Sequence, residues 1–357
     1  MDRDVAARVG GRLRQWREAQ GAWLRGQGPL GPRLRRRGPL LLYFAVLIAF
    51  VAEIGLPTDR IDQTIWILAG IAAARIGRPL RDHMQAVLDW APLLAALLLY
   101  DYTRGIADTL GMTVRVSELV DFDQWLFGGT VPTVWLQEHL YTPGEIHWYD
   151  VVAGIVYMSH FVVPWVLAAA FYVWSRDRWW KYIRMVLALS YAGLATYILV
   201  PAAPPWYAAS TGVIGDTVWR NAADGWWNSP IADWLGLQFA AIWFERQSAG
   251  VNDVAALPSL HAAFAMLIAI ALWPVARHWA LRIPLALFPL AMGFTLVYGG
   301  EHYVLDVLLG WAYVVAIVFV FQAWDRWFAQ RQSVRSAAAE EPIHADVPPR
   351  DRVTSPS

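Results

Sequence analysis

Eight apolar segments constrain the fold of this chain more than any other feature. A membrane's hydrocarbon core is about 30 Å thick, so a helix needs roughly 20 apolar residues to cross it. The composition agrees, because 57% of the 357 residues are apolar and only 16% are charged. We therefore expect an all-α protein, a polytopic membrane helical bundle of about eight transmembrane helices. The segments lie near 39–57, 62–77, 84–100, 150–174, 183–201, 258–275, 281–299 and 303–325.

The distribution of arginine and lysine predicts how these segments are oriented. Residues 1–38 hold ten Arg against three acidic residues, a net charge of +7. Ahead of a span, such a tail is typical of a topology signal that touches anionic lipid, and we expect no nucleic-acid partner. The short connections 75–81, 176–184 and 277–282 are basic, whereas the much longer ones between them hold few cations. This positive-inside pattern predicts a multi-pass protein of the inner (plasma) membrane with both termini cytoplasmic.

Four segments follow from these patterns. Residues 1–38 form an Arg-rich cytoplasmic tail, and 39–149 hold the N-terminal membrane spans with an interfacial segment. Residues 150–328 form a catalytic membrane core, and 329–357 are expected to be a disordered cytoplasmic tail.

Two connections on the predicted outer side are rich in aromatic residues. The stretch 119–140 is expected to be an interfacial element broken at Gly128, Gly129 and Pro132. The Trp-rich stretch 202–257 is either a substrate-guiding lid that lies on the bilayer or an ordinary aromatic belt.

Two short motifs place histidines at the ends of apolar runs, where ionisable residues usually have a function. The first is Pro258-Ser259-Leu260-His261. It reads as a helix start, where Ser259 offers its hydroxyl and unpaired amides favour a phosphate. The simpler interpretation is a polar helix start with a histidine at the interface.

The second motif contains His302 and Asp306, four residues apart. On a helix they share one face, so the carboxylate can hold one ring nitrogen protonated and leave the other as a nucleophile. Gly299 and Gly300 before them permit a backbone bend. Alternatively, the pair only satisfies two buried polar groups. The chain has no cysteine, which excludes thiolate chemistry and disulfides.

With Pro201-Ala-Ala-Pro204-Pro205-Trp206-Tyr207, the two motifs resemble the type 2 phosphatidic acid phosphatase superfamily, and within it the inositol phosphorylceramide synthase branch. The resemblance covers roughly 180–325. It implies a six-helix core without a metal or other cofactor, in which His302 is the nucleophile, Asp306 orients it and His261 is the general acid and base. It also places Trp206, Tyr207 and Ser259 among the substrate-binding residues.

The chain departs from the phosphatase pattern of that superfamily. The arginine expected six residues before the nucleophilic histidine is Leu296 here, and Pro201–Trp206 replaces the basic first motif. A phosphodiester carries less charge than a phosphomonoester and needs fewer cations, so this loss favours a transferase. Arg246 is the first candidate for a replacement cation and Arg220 the second. Asp101 and Arg104 are expected to pair with each other.

These observations predict an integral membrane phosphotransferase whose site lies on the extracytoplasmic side. It would move a phosphorylated headgroup, such as phosphoinositol, from a phospholipid to an alcohol acceptor through a phosphohistidine. One alternative is a phosphatase that acts on a lipid phosphate or polyprenyl pyrophosphate. A second is a non-catalytic membrane scaffold or carrier. The expected partners are the phospholipid or polyprenyl phosphate substrate and membrane lipids.

Overall fold

The computed structural model describes residues 31–54, 57, 60–143, 145–214 and 252–340, with side chains left aside for 31–36, 108 and 334–340. In these parts the chain forms helices joined by turns and isolated backbone bridges. The α-helices are α1 (Gly31–Glu53), α2 (Arg60–Ala74), α3 (Leu80–Ile106), α4 (Ser117–Leu126), α5 (Pro132–Leu140), α6 (Trp148–Trp174), α7 (Arg176–Leu199), α8 (Pro205–Ser210), α9 (Leu260–Leu272), α10 (Trp279–Tyr298) and α11 (Val304–Glu340).

The all-α membrane architecture is confirmed, and each of the eight apolar segments coincides with a helix. Five helices in the described ranges are long and apolar enough to cross a membrane, namely α3, α6, α7, α10 and the first thirty residues of α11. Helix α9 is apolar but has only 13 residues. The protein is therefore a multi-pass membrane protein, and the expected count of eight spans is not confirmed.

Helices extend into both segments that were predicted to be tails. Helix α1 already begins at Gly31, and α11 continues to Glu340, so residues 329–340 are helical and not disordered. The reason is local, because Ala, Arg, Gln and Glu dominate 329–340 and all favour helix. The rest of both tails lies outside the described residues.

The chain divides into two compact units, residues 1–314 and 315–357. The first contains all the residues discussed below. In the second, α11 carries an aromatic group in which Trp324 contacts both Trp327 and Phe328, and Arg331 lies over the Trp327 ring.

In the first unit, the ends of α7, α9 and α11 meet where the two histidine motifs lie. The Ser259 amide, just before α9, donates to the Asp306 carbonyl in α11 at 3.0 Å. This approach requires Gly310, because a Cβ there would collide with the Ser259 carbonyl. Tyr197 at the end of α7 donates its buried hydroxyl to the Pro258 carbonyl at 2.9 Å. These contacts hold both motifs against the ends of α7 and α11.

The expected interfacial element consists of the two short helices α4 and α5. The break between them is where the sequence predicts it, with Gly128 and Gly129 at φ +66° and +96° and Pro132 in the first turn of α5. Both helices reach the region of the histidine motifs. Gln137 of α5 donates to the Tyr298 carbonyl at 2.7 Å, and Asp123 of α4 accepts bonds from the start of α11.

The segment Pro201–Pro205 is fixed by its backbone. The Arg115 amide donates to the Pro201 carbonyl at 2.8 Å, and the Ala202 amide donates to the Val254 carbonyl at 2.8 Å. Ala202 and Ala203 are almost fully buried, so no larger side chain fits there without displacing a neighbour. The segment thus lies between the chain that precedes α4 and the chain that leads to Pro258.

Candidate active site

His302 and Asp306 contact each other at the start of α11. His302 lies two residues before the helix, so the expected shared helical face is only approximately realised. Gly300 has a φ of +71°, which supplies the predicted bend. The Asp306 Oδ2 accepts from the Tyr303 amide at 2.9 Å and lies 3.3 Å from the His302 Nδ1. Both side chains are buried. With a proton on Nδ1 that faces Asp306, the unprotonated Nε2 on the other side of the ring points away from the carboxylate.

His261 faces this pair from the first turn of α9. The centroids of the His261 and His302 rings are 5.9 Å apart, with their planes tilted by 56°. Ser259 caps α9 by accepting from the Ala262 amide at 3.3 Å, and its side chain is fully buried. The three residues predicted to be catalytic are thus brought together from two separate motifs. The Ser259 hydroxyl serves the helix cap, and its contact with a substrate stays a prediction.

A third histidine, His160 of α6, packs directly on His261. In the structure, the His160 and His261 ring centroids are 4.0 Å apart, and the His160 Nδ1 is buried without a hydrogen-bond partner in the described residues. Tyr157 stacks on His261 at 5.1 Å and 15°. The signal for His160 was an ionisable residue in the middle of a span.

Trp206 and Tyr207 lie in the first turn of the short helix α8, beside the bend before His302. The Trp206 amide donates to the Gly300 carbonyl at 3.2 Å, and the two side chains are half-buried. Residues of α8 share an apolar cluster with Leu119 of α4 and the fully buried Tyr303. The predicted substrate-binding residues Trp206 and Tyr207 therefore belong to a helix that packs against the bend before His302.

Neither predicted replacement cation can be placed, since Arg246, Arg220 and most of the expected lid lie outside the described residues. Leu296, at the position where the superfamily pattern has arginine, is fully buried in an apolar cluster. The expected pair of Asp101 with Arg104 is wrong. Asp101 pairs with Arg60 at 2.8 Å instead, which leaves the Arg104 charge without that partner.

Asp123 of α4 is a site component that sequence reasoning missed. Its carboxylate accepts from the amides of Val304 and Leu305 at 3.0 and 3.2 Å and thereby caps α11 two residues after His302. Burial raises the pKa of Asp123 to about 6, which the two amide bonds oppose and the nearby Asp306 reinforces. An Asp in a short amphipathic helix gives no signal of this contact, because its partners are 181 and 182 residues away.

The arrangement is suited to phosphoryl transfer. A carboxylate-supported imidazole can attack phosphorus, and a second imidazole can donate a proton to the leaving oxygen. In the described ranges, no group of His, Asp and Glu side chains is arranged to hold a metal ion. The fold and the site define a membrane enzyme with two facing histidines and one aspartate.

Comparisons with known proteins identify the family. The model of the PAP2 superfamily matches residues 117–320. A phosphoinositol dihydroceramide synthase from Bacteroides thetaiotaomicron is 30% identical over 277 residues, which cover 74% of this chain and 84% of that protein. No solved structure matches.

The chain therefore belongs to the PAP2 superfamily, the type 2 phosphatidic acid phosphatases and their relatives, as the motifs indicated. It is an enzyme, a lipid phosphotransferase or phosphatase of that superfamily, and the alternative of a non-catalytic scaffold is set aside.

Proposed function

We propose that the protein transfers a phosphorylated headgroup, with phosphoinositol as the leading candidate, from a glycerophospholipid to an alcohol acceptor. The main support is the position of the His302–Asp306 pair opposite His261, with 5.9 Å between the imidazole centroids. The name of the bacterial relative supports phosphoinositol as the headgroup. The buried Leu296 in place of a phosphate-binding arginine favours a phosphodiester over a phosphomonoester.

In the first half-reaction, the His302 Nε2 attacks the phosphorus. The bond from phosphorus to the diacylglycerol oxygen breaks, an N–P bond forms, and His261 gives its proton to the departing oxygen. The Asp306 carboxylate stabilises the positive charge on the phosphorylated imidazole. Its other oxygen, Oδ1, is buried without a hydrogen-bond partner in the described residues, so its charge is directed mainly at His302 and the Tyr303 amide.

In the second half-reaction, an alcohol replaces diacylglycerol. His261, now neutral, accepts the hydroxyl proton while the alcohol oxygen attacks phosphorus and the N–P bond breaks. His261 is then protonated and His302 is free, so the enzyme returns to its starting state.

We also propose that the site opens on the extracytoplasmic side. The clusters of Arg and Lys lie at the opposite helix ends, between α2 and α3, between α6 and α7, and between α9 and α10. The positive-inside rule assigns those ends to the cytoplasm. The donor would then be a lipid of the outer leaflet, and no nucleotide would be needed.

The test uses the full chain in nanodiscs that contain phosphatidyl-[³H]inositol. We expect release of diacylglycerol that increases when an alcohol acceptor is added, and loss of this activity in His302→Ala. His139→Ala, at an exposed histidine of α5, is the matched control and should retain the wild-type rate. Full turnover in a folded His302→Ala variant would refute the nucleophile.

A second measurement distinguishes the transferase from the phosphatase and does not depend on the His302 variant. Without an alcohol acceptor, wild type should accumulate tritium on the protein in an acid-labile form, and His261→Ala should slow both this labelling and its discharge by an added alcohol. Release of inorganic phosphate from phosphatidic acid, without any alcohol and with no turnover of phosphatidylinositol, would instead identify a phosphatase.

A further inference from the structure

A phosphate site in apolar surroundings needs a positive charge, and the usual position for one is lost here. Leu296 replaces an arginine, and two arginines of the described chain near this end of the helices are already neutralised. Arg60 pairs with Asp101 at 2.8 Å, and Arg115 pairs with Glu118 at 2.6 Å. A bound phosphodiester would therefore need a different cation.

Arg104, in the last turn of α3, meets this requirement. It is half-buried, and its side chain forms no hydrogen bond or ion pair with any residue that the structure describes. Its positive charge lies close enough to bear on both His160 and His261, and Arg60, which is already paired with Asp101, bears on His160 as well. Charges interact more strongly through buried, apolar surroundings than through water, so this guanidinium contributes to the electrostatic potential at the histidines.

The backbone of Arg104 is tied to the same structure that holds the histidine motifs. The buried Asn252 donates from its side-chain amide to the Arg104 carbonyl at 3.2 Å and accepts from the Val254 amide at 2.9 Å. The Val254 carbonyl in turn accepts from the Ala202 amide at 2.8 Å. The end of α3 is thus connected to both the segment beginning at Pro201 and the chain that leads into α9.

We propose that Arg104 binds the phosphodiester of the donor lipid and keeps its contact with the phosphoryl group after transfer to His302. An arginine can donate two parallel hydrogen bonds to phosphate oxygens, which fixes the orientation of phosphorus as well as its charge. Arg104 lies before residue 117, where the match to the superfamily begins, so the N-terminal spans complete the site as well as anchoring it. This inference rests on the proposed function for the identity of the donor.

The test compares Arg104→Gln with Arg104→Lys and with the control Arg115→Gln, whose side chain is half exposed. Two readouts are used on the full chain: kcat and KM for phosphatidylinositol in nanodiscs, and the rise in Tm caused by sodium tungstate, a tetrahedral oxyanion. Hydrogen bonds to a charged group are stronger than those between neutral groups. We therefore expect Arg104→Gln to raise the donor KM and to lower the affinity for tungstate, each about tenfold to a hundredfold. Arg104→Lys should recover part of this loss, and Arg115→Gln should stay within twofold of wild type.

The two readouts separate this inference from the proposed function. If tungstate protection depends on Arg104 while phosphatidylinositol is not turned over, the oxyanion site stands and the proposed donor is wrong. If wild type transfers phosphoinositol and folded Arg104→Gln has wild-type KM and tungstate affinity, this inference alone is overturned. Should Arg104→Gln fail to accumulate, Arg104→Lys decides, because unchanged KM and tungstate affinity in that variant would also overturn it. If tungstate does not raise the Tm of wild type, this inference is also overturned.

Discussion

Replacing Asp123 with Asn should change how the stability of the protein depends on pH between about 4 and 7. Asp123 is fully buried and caps the first amides of α11, next to His302 and Asp306. Asn keeps the size and one acceptor oxygen but cannot ionise. The variant therefore isolates the effect of charging this carboxyl group.

The sign follows from the two states of the protein. In the unfolded chain Asp123 has its ordinary pKa of 3.8, whereas burial raises its pKa in the folded protein to about 6. Between these values the folded state holds a proton that the unfolded state has lost, so stability falls as pH rises. The cost is absent below about pH 4 and complete above about pH 6.

The size follows from the same two numbers. One pKa unit corresponds to about 1.4 kcal/mol, so the rise to about 6 corresponds to a cost of about 3 kcal/mol above pH 6. For a chain of this size, 1 kcal/mol shifts Tm by about 2 °C. We therefore expect the Tm of wild type minus that of Asp123→Asn to fall by about 6 °C between pH 4 and pH 7.

The assay is thermal unfolding of both proteins in the same detergent at half-unit pH steps. Other titrating groups affect both proteins equally, so the difference in Tm reports Asp123. Loss of part of the cap in Asp123→Asn adds an offset that does not depend on pH, about 1 kcal/mol for a typical cap. A difference in Tm that stays constant from pH 4 to pH 7 would show that Asp123 ionises near its ordinary pKa and would refute the reasoning.

Two further predictions concern the site and its orientation. His160→Phe keeps the ring contact with His261 but removes the buried nitrogen, and we expect kcat/KM to fall about tenfold, the equivalent of about 1.4 kcal/mol for one hydrogen bond to substrate. The exposed control His139→Phe should leave kcat/KM unchanged, and an unchanged value in His160→Phe would limit His160 to packing. Because the chain has no cysteine, Ser210→Cys beside the site and His278→Cys at the opposite helix ends are unique labelling sites, and both positions are exposed. A membrane-impermeant maleimide should label only Ser210→Cys in intact cells and both variants after lysis, and the reverse pattern in intact cells would refute the proposed orientation.

The sequence alone predicted the helical membrane class, the approximate positions of the long helices and the three residues of the predicted catalytic group. Long apolar runs are sufficient for the first two, since the bilayer sets the length of a span. The motifs around His261 and His302 are short and contiguous, and their positions at the ends of apolar runs marked them. The break between α4 and α5 was predictable for the same reason, because Gly128, Gly129 and Pro132 act locally.

Only the tertiary structure decided which distant residues join this group. Asp123 reaches α11 across 181 residues of sequence, and Asn252 ties down Arg104 across 148. His160 contacts His261 because α6 packs beside α9, which no local pattern in either helix specifies. The ion pair at the end of α3 differs from the expected one for the same reason, since Arg60, from another helix, pairs with Asp101 and leaves Arg104 without that partner. A sequence sets where each helix begins and ends, but burial and charge at a site depend on which helix ends come together.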